Sequence, residues 1–522
     1  MTMPEATDAA PMVPPLPDMR DVVPHSTWIA RREGLRDAAL LWLEKAPPER
    51  LRLHHKAARL SRPSLGWGSL SAVARAGGRV ITTVGPDGLA EIFRATSDVR
   101  RVRDGKPPKE RRNGSRSASS VAVERAQELV AAGGPAYVKL GQFIASAKGL
   151  LPDEWVEAFA WCRDEVPPLA PGVAESIVRR TFDQSPHDIF AYFDPEPMAA
   201  ASIAQVHNAT LKDGTEVVVK VRRPGLRRKF TEDIRVMALL SSVAERLVAE
   251  ARMANLSGFV NLFAQIVLEE LDFRLEAVNI IEAALASESA GHTYVNYPRP
   301  IPDLVASNVL VMEKVPGVRY TDALEAYPGA VDGDKLLRLA ITSVLEQTMI
   351  YGLFHGDLHA GNVFISPTGD FSLVDFGIVG RLTADQRAAL VRFMVGFARN
   401  DVRLQLIAMS EFGAMPIDAN FDELVAELQV YADQAAAMEI KAGQISQGLE
   451  QMAEAMSAII RILSRSGLVV PKEMVLFFKN VLYLNGFGAA LAPEANLMAE
   501  IEPIFMYFAT KYPEAIQLMA DA

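Results

Sequence analysis

The chain has 522 residues, 49% hydrophobic and 23% charged, and its 54 basic against 64 acidic residues give a formal charge of −10. That length holds about three domains at roughly 150 residues each and buries large cores without staples. The acidic balance argues against a general nucleic-acid binder, which carries a basic footprint. The single cysteine, Cys162, excludes an internal disulfide framework and a cysteine zinc cage, and points to a reducing compartment.

Residues 1–24 are acidic and Pro-rich, which predicts a disordered tail with neither the order of a secretory signal nor an Arg-rich transit helix. Residues 25–98 read as a helical region of unassigned role, broken at Pro47, Pro48 and Pro63. Residues 99–120 form a linker; positions 100 to 116 hold eight basic and two acidic residues among Gly, Pro and Ser, the composition of a solvated connector. Residues 121–196 read as helices with breaks at Pro152 and Val166-Pro167-Pro168. Residues 197–222 read as strand, turn and strand, since the β-branched run EVVVKVR follows Asp213-Gly214, a hairpin signal. Helical runs follow at 231–252 and 258–285, then a strand at 308–315, then a helix-rich remainder interrupted at 351–380 by two short strand-like runs.

A small β-rich lobe ahead of a large α-rich one predicts an α+β, protein-kinase-like bilobal fold, with an N-lobe over 197–315 and a helical C-lobe over 316–522. The greasiest stretch, 474–492, is interrupted by Lys479, Asn480 and Asn485 and reads as a buried helix pair rather than a membrane span. Three placements for it stay open: docking on a membrane surface, packing within the C-lobe, or forming a homodimer face.

The chemistry centres on one loop. His355-Gly356-Asp357 is followed five residues later by Asn362, the spacing of a kinase catalytic loop. Phosphoryl transfer needs an aspartate to orient the nucleophile and an amide oxygen to hold magnesium. Asp375-Phe376-Gly377 stands thirteen residues beyond Asn362, placed for its carboxylate to bridge magnesium to phosphates. Each motif alone is weak; both in order, with a strand between, are specific. A metal pair of His355 and His359 is set aside because Gly356 indicates a loop and no third ligand stands near, so His355 reads as a structural brace.

Upstream, Lys220 ends the run Val217-Val218-Val219. An ammonium within an apolar strand is costly unless it is paired or meets phosphate. Glu270, Asp272 and Glu276 lie in one periodic segment, Asp272 and Glu276 on a shared face, and pattern leaves open which is the partner. Where a kinase carries glycines over the phosphates, this chain has Ala199-Ala200-Ala201-Ser202, a stiffer loop. GxGxxG and GxxxxGK[ST] motifs are absent from the sequence.

These blocks, with ELDFRLEAVN and with Lys139-Leu140-Gly141-Gln142 ahead of them, resemble the UbiB/AarF family of atypical protein-kinase-like proteins over about residues 120 to 400, and weakly to Pro493. The resemblance implies ATP and Mg2+ as cofactors. It gives catalytic roles to Asp357, Lys220 and Glu276, the last pairing with Lys220, and makes Asn362 and Asp375 the magnesium ligands. It places the nucleotide against Ala199, Ala200, Ala201, Ser202 and Lys220 and against the backbone at Met312, Glu313 and Val315. It makes 121–196 a helical lid whose Lys139 and Gln142 meet Glu270 and Asp272 over the active site. By the family's associations it implies an ATPase or small-molecule phosphotransferase in ubiquinone-type quinone or lipid metabolism. A phenolic or isoprenoid-lipid ligand, no nucleic-acid partner, and a cytoplasmic location peripheral at the inner face of a membrane go with it.

A non-catalytic, nucleotide-gated scaffold organising a membrane-surface complex uses every one of these residues and is the alternative. An aminoglycoside- or choline-type kinase shares the H-x-D loop but neither the Ala-rich loop nor K-x-G-Q. Two positions depart from the family pattern: Ala147-Lys148-Gly149 replaces an Arg-x-Asp-type run, and Ala204 replaces a glycine. Between Asp375 and Ala384 the only hydroxyl is Thr383, and no peptide-platform motif follows, so generic proteins are not expected as phosphoryl acceptors.

Overall fold

The structure is a computed structural model that describes residues 17–63, 127, 130, 135–145, 157–159, 162, 167–247, 256–416, 420–436, 462–463, 471–495 and 501–513. Of the tail expected to be disordered over 1–24, residues 1–16 lie outside the described residues, but Met19–Val22 is a helix capped by Asp18, whose side chain accepts the Arg20 N–H; residues 64–126, which hold the expected linker, and Ala147-Lys148-Gly149 also lie outside the described residues. The chain divides into a sheet unit, residues 44–277 and 300–314, and a helical unit, residues 1–43, 278–299 and 315–522.

The sheet unit is built on five strands, β1 (Phe190–Ala200), β2 (Ala204–Leu211), β3 (Glu216–Arg222), β4 (Pro300–Val305) and β5 (Val309–Glu313), in the order β1-β2-β3-β5-β4. Val217, Val219 and Val221 of β3 alternate into a core completed by Val309, Val311 and the helix Val173–Phe182. The period of two then puts Lys220 on the other face, opposite Val206 of β2 and Leu310 of β5. Asp213-Gly214 makes the expected turn between β2 and β3, with Gly214 at φ 87°.

The first strand starts at Phe190, not at 197. Pro195 and Pro197 mask it in the sequence, because proline cannot donate to a ladder; β1 lies at the sheet edge, where proline is tolerated, and its register slips between Phe193 and Pro197. The helices α1 (Pro135–Ala145), α2 (Leu226–Leu247) and α3 (Leu256–Glu270) belong to this unit. The single helix expected at 258–285 is two, α3 and α4 (Phe273–Ser289). Asp272 causes the break: its carboxylate accepts the Arg274 N–H at 3.3 Å, a cap that starts α4. The division between units falls within α4, after Ala277.

The prolines at 47 and 48 do not end a helix either; Leu35–Leu60 is continuous through them. Ala39, Leu43, Ala46, Leu53, Ala57 and Leu60 keep one buried stripe, at three- and four-residue spacing on either side of the prolines and two turns apart across them, so packing overrides the loss of two amide donors.

In the helical unit, α5 (Gly333–Met349) leads to β6 (Leu353–His355), β7 (Val363–Ile365), β8 (Phe371–Leu373) and β9 (Val379–Arg381). β7 and β8 pair antiparallel, flanked by Val318–Arg319 and Val295–Asn296, and β9 pairs antiparallel with β6. The expected helix pair at 474–492 is one helix, α6 (Lys472–Leu491), followed by α7 (Ile501–Lys511). α6 packs within its own unit: Met474, Leu476 and Phe477 join Phe354 and Leu382, while Phe487 and Leu491 join Tyr320, Leu358 and Phe371. Among the described residues no helix is long and apolar enough to cross a membrane.

Candidate active site

In the sheet unit, β3 delivers Lys220 to the first turn of α4, where Nζ donates to Glu276 Oε1 at 2.7 Å. The pair is nearly enclosed, with side-chain exposures of 10% and 2%, and the ammonium also lies over the Phe273 ring. Of the three acidic candidates, Glu276 is therefore the one that meets Lys220. Glu270 receives Lys139 Nζ at 2.6 Å. Asp272, fully buried, is held in a fork by Arg274 at 2.9 and 2.7 Å, with Arg227 at 3.5 Å. Glu270 and Asp272 thus face different cations, since one ends α3 and the other caps α4.

The K-x-G-Q segment lies on α1. Gln142 donates to the Cys162 carbonyl at 2.9 Å and accepts the Ser202 hydroxyl at 3.2 Å, tying the helix to the Ala-rich turn. Gly141 permits this approach, since a Cβ there would stand 2.3 Å from Cys162 Sγ. The turn is a tight hairpin, Ala201 N–H donating to the Ala204 carbonyl at 2.8 Å; Ala199 and Ala201 are exposed and Ser202 is buried. Met312 and Glu313 end β5 opposite Val218 and Val217, and the chain leaves the sheet unit just before Val315.

In the helical unit, β6 ends at His355 and the loop from Gly356 to Asn362 folds back on it. The His355 ring is buried, donates from Nε2 to the Val374 carbonyl at 3.0 Å and accepts the Asp357 N–H on Nδ1 at 3.1 Å. Burial pushes its pKa below the usual range, so the ring is held neutral, as both bonds require. It is a brace. Asn362 Nδ2 donates to the Asp357 carbonyl at 2.9 Å, and the Val374 N–H reaches the Asn362 carbonyl at 3.1 Å. The next residue, Asp375, takes a left-handed conformation with φ 61°, which turns its carboxylate away from the strand path. Phe376 is locked beneath it by the His355 ring and by Asn279, whose amide donates to the Phe376 carbonyl at 2.7 Å.

After Gly377 the chain enters β9 directly, in register Val379↔His355, Gly380↔Phe354 and Arg381↔Leu353. Thr383 then caps the helix Ala384–Ala398 in a reciprocal box with Gln386.

Two neighbours of this loop escape motif reading. Lys479 of α6 forms an ion pair with the Asp357 carboxylate, and Asn480 donates its amide to the His355 carbonyl. Their only sequence signal is that they interrupt an apolar stretch.

A β-strand lysine paired to a helix glutamate, and a loop aspartate followed by a left-handed one, place the chain in the kinase-like class of α+β folds. Comparison agrees: residues 162–407 match the ABC1 atypical kinase-like domain. The "Probable protein kinase UbiB" of Pseudomonas paraeruginosa (strain DSM 24068 / PA7) is 31% identical over 377 residues, 71% of this chain and 68% of that protein. The same-named protein of Azotobacter vinelandii (strain DJ / ATCC BAA-1303) has the same identity and coverage. The solved complex of Rv3197 with erythromycin from Mycobacterium tuberculosis is similar at 22% identity and TM-score 0.40, over 68% of this chain and 91% of that one. The chain belongs to the UbiB/AarF family of atypical kinase-like proteins.

Proposed function

We propose that the chain binds ATP with Mg2+ and acts as an ATPase or small-molecule phosphotransferase in isoprenoid-quinone or lipid metabolism, and not as a general protein kinase. The observation that carries this reading is the buried Lys220–Glu276 pair. An ammonium held inside a sheet by a fixed carboxylate is what positioning nucleotide phosphates requires.

Asp357, braced by His355, orients the attacking hydroxyl or water, and the Ala-rich turn with Met312, Glu313 and Val315 holds the nucleotide. Asn362 and Asp375 would hold magnesium. They fit it: Asn362 commits its amide nitrogen to Asp357, which leaves its oxygen for a cation, and an amide oxygen with a carboxylate is the hard donor set that magnesium shares with phosphates. When bound, the ion neutralises charge on the phosphates.

One feature favours a small acceptor. The segment after Asp375 is a strand zipped to β6, and its one hydroxyl already caps a helix, so neither an activation loop nor a free phosphosite is supported.

Calorimetric titration of ATP with magnesium into the chain and into Asp375→Asn tests the reading: the variant should lose at least tenfold in affinity, and equal affinities overturn it. Phosphate release that disappears in Asp357→Asn supports the enzyme. Nucleotide binding without release, under any lipid or phenol supplement, supports the scaffold.

A further inference from the structure

We infer that α6 completes the catalytic centre, with Lys479 as the positioning residue for Asp357. The inference rests on the reading of Asp357 as the catalytic-loop aspartate. The family-model match ends at residue 407, and Lys479 lies well beyond it.

Three observations converge. Lys479 sits on a helix whose neighbours Leu476, Phe477 and Leu484 are buried, and its own side chain is 9% exposed. An ammonium so placed requires a counter-charge, and its ion-pair partner is Asp357 Oδ1, on a side chain that is 26% exposed. Asn480, one residue on, is fully buried and donates to the His355 carbonyl while its own Oδ1 has no hydrogen-bond partner. Leaving a buried acceptor unsatisfied is unfavourable, so the amide is retained for the grip on His355. The helix thus holds both ends of His355-Gly356-Asp357. His359 Nε2 stands 3.9 Å from the other oxygen, Oδ2. Lys479 therefore fixes one oxygen of the carboxylate.

The test uses the full chain with Lys479→Met, which keeps the stem volume, and Lys479→Arg, which keeps the charge. Nucleotide affinity should stay within about threefold in both, because the role inferred for Lys479 is to position Asp357 and not to bind nucleotide. The kcat of phosphate release should fall about 10- to 100-fold in Lys479→Met, the size of effect that misplacing a reacting group produces, and Lys479→Arg should recover most of it. A thermal double-mutant cycle with Asp357→Asn gives the second readout: Lys479→Met should cost less in the Asp357→Asn background than in the parent, because the pair is already broken. Wild-type kcat in Lys479→Met, or additive thermal shifts, overturns the inference while leaving nucleotide binding standing. Absence of turnover in the unmodified chain overturns the enzyme reading and this inference with it.

Discussion

Glu276→Leu separates what the Lys220 pair contributes to stability from what it contributes to binding. The substitution removes one carboxylate, 2.7 Å away, from an ammonium whose side chain is 10% exposed. Breaking a buried pair from one side costs about 3–5 kcal/mol, because the remaining charge stays out of water. The Phe273 face, 5.4 Å from the ammonium, still attracts it and keeps the cost near the lower end, about 3 kcal/mol. For a unit of this size that is a fall in Tm of about 6–12 °C. Lys220→Met strands Glu276 instead and should cost about as much. The double variant leaves no charge behind and should return to within about 1 kcal/mol of the parent, a non-additivity diagnostic of direct coupling. Scanning calorimetry on the four proteins, followed by titration with ATP and magnesium, measures both arms. The double variant should be stable yet unable to bind nucleotide. Glu276→Leu as stable as the parent refutes the energetic argument, and restored nucleotide affinity in the double variant refutes the phosphate role of Lys220.

Lys139→Ala should change nucleotide affinity or turnover although Lys139 lies 81 positions before Lys220, because it breaks the bond to Glu270 and loosens α1 over the Ala-rich turn; parent-like values for both refute this. The unmodified chain should not label a panel of peptides, and robust labelling refutes the small-acceptor reading. Glu346 anchors α7 to α5: burial alone would raise its carboxyl, but bonds from His292 at 2.8 Å, Lys511 at 2.6 Å and Tyr512 outweigh it and lower the pKa from 4.5 to about 2. A depressed carboxylate stabilises fully above its unfolded value, so the Tm advantage of the parent over Glu346→Gln should shrink as pH falls from about 4.5 towards 2; an advantage constant across that window, followed by calorimetry, refutes it.

The parts of the site legible in the sequence are those set by local chemistry. The valine run predicts β3 because β-branched residues suit a pleated surface, and alternation alone puts Lys220 on the face away from Val217, Val219 and Val221. The catalytic loop is legible because His355, Asp357 and Asn362 bond to one another within eight positions. What fails locally fails for identifiable reasons. Pro195 and Pro197 hide an edge strand, and Pro47 and Pro48 suggest a break that packing overrides. Asp272 is read as one member of a helical face when its carboxylate is the cap that ends the face. The choice of Glu276 over Glu270 and Asp272 depends on that break, so periodicity through the segment could not make it.

The case of α6 shows where a tertiary fact leaves a trace in one dimension. Lys479, Asn480 and Tyr483 fall on the stripe defined by the buried Leu476, Phe477, Leu484 and Phe487 rather than on a polar face of the helix. A cation and an amide inside an apolar stripe argue against a membrane span, but the same physics says more: each must have a partner in the folded chain. The sequence therefore announces that α6 meets a carboxylate and a carbonyl, without saying which. The partners lie 122 and 125 positions away in the catalytic loop, a separation that no spacing rule reaches. Replacing Asp357 by Asn to silence the site would accordingly also strand Lys479. A loss of activity in that variant measures the aspartate and the ion pair together, and only the Lys479 background separates them.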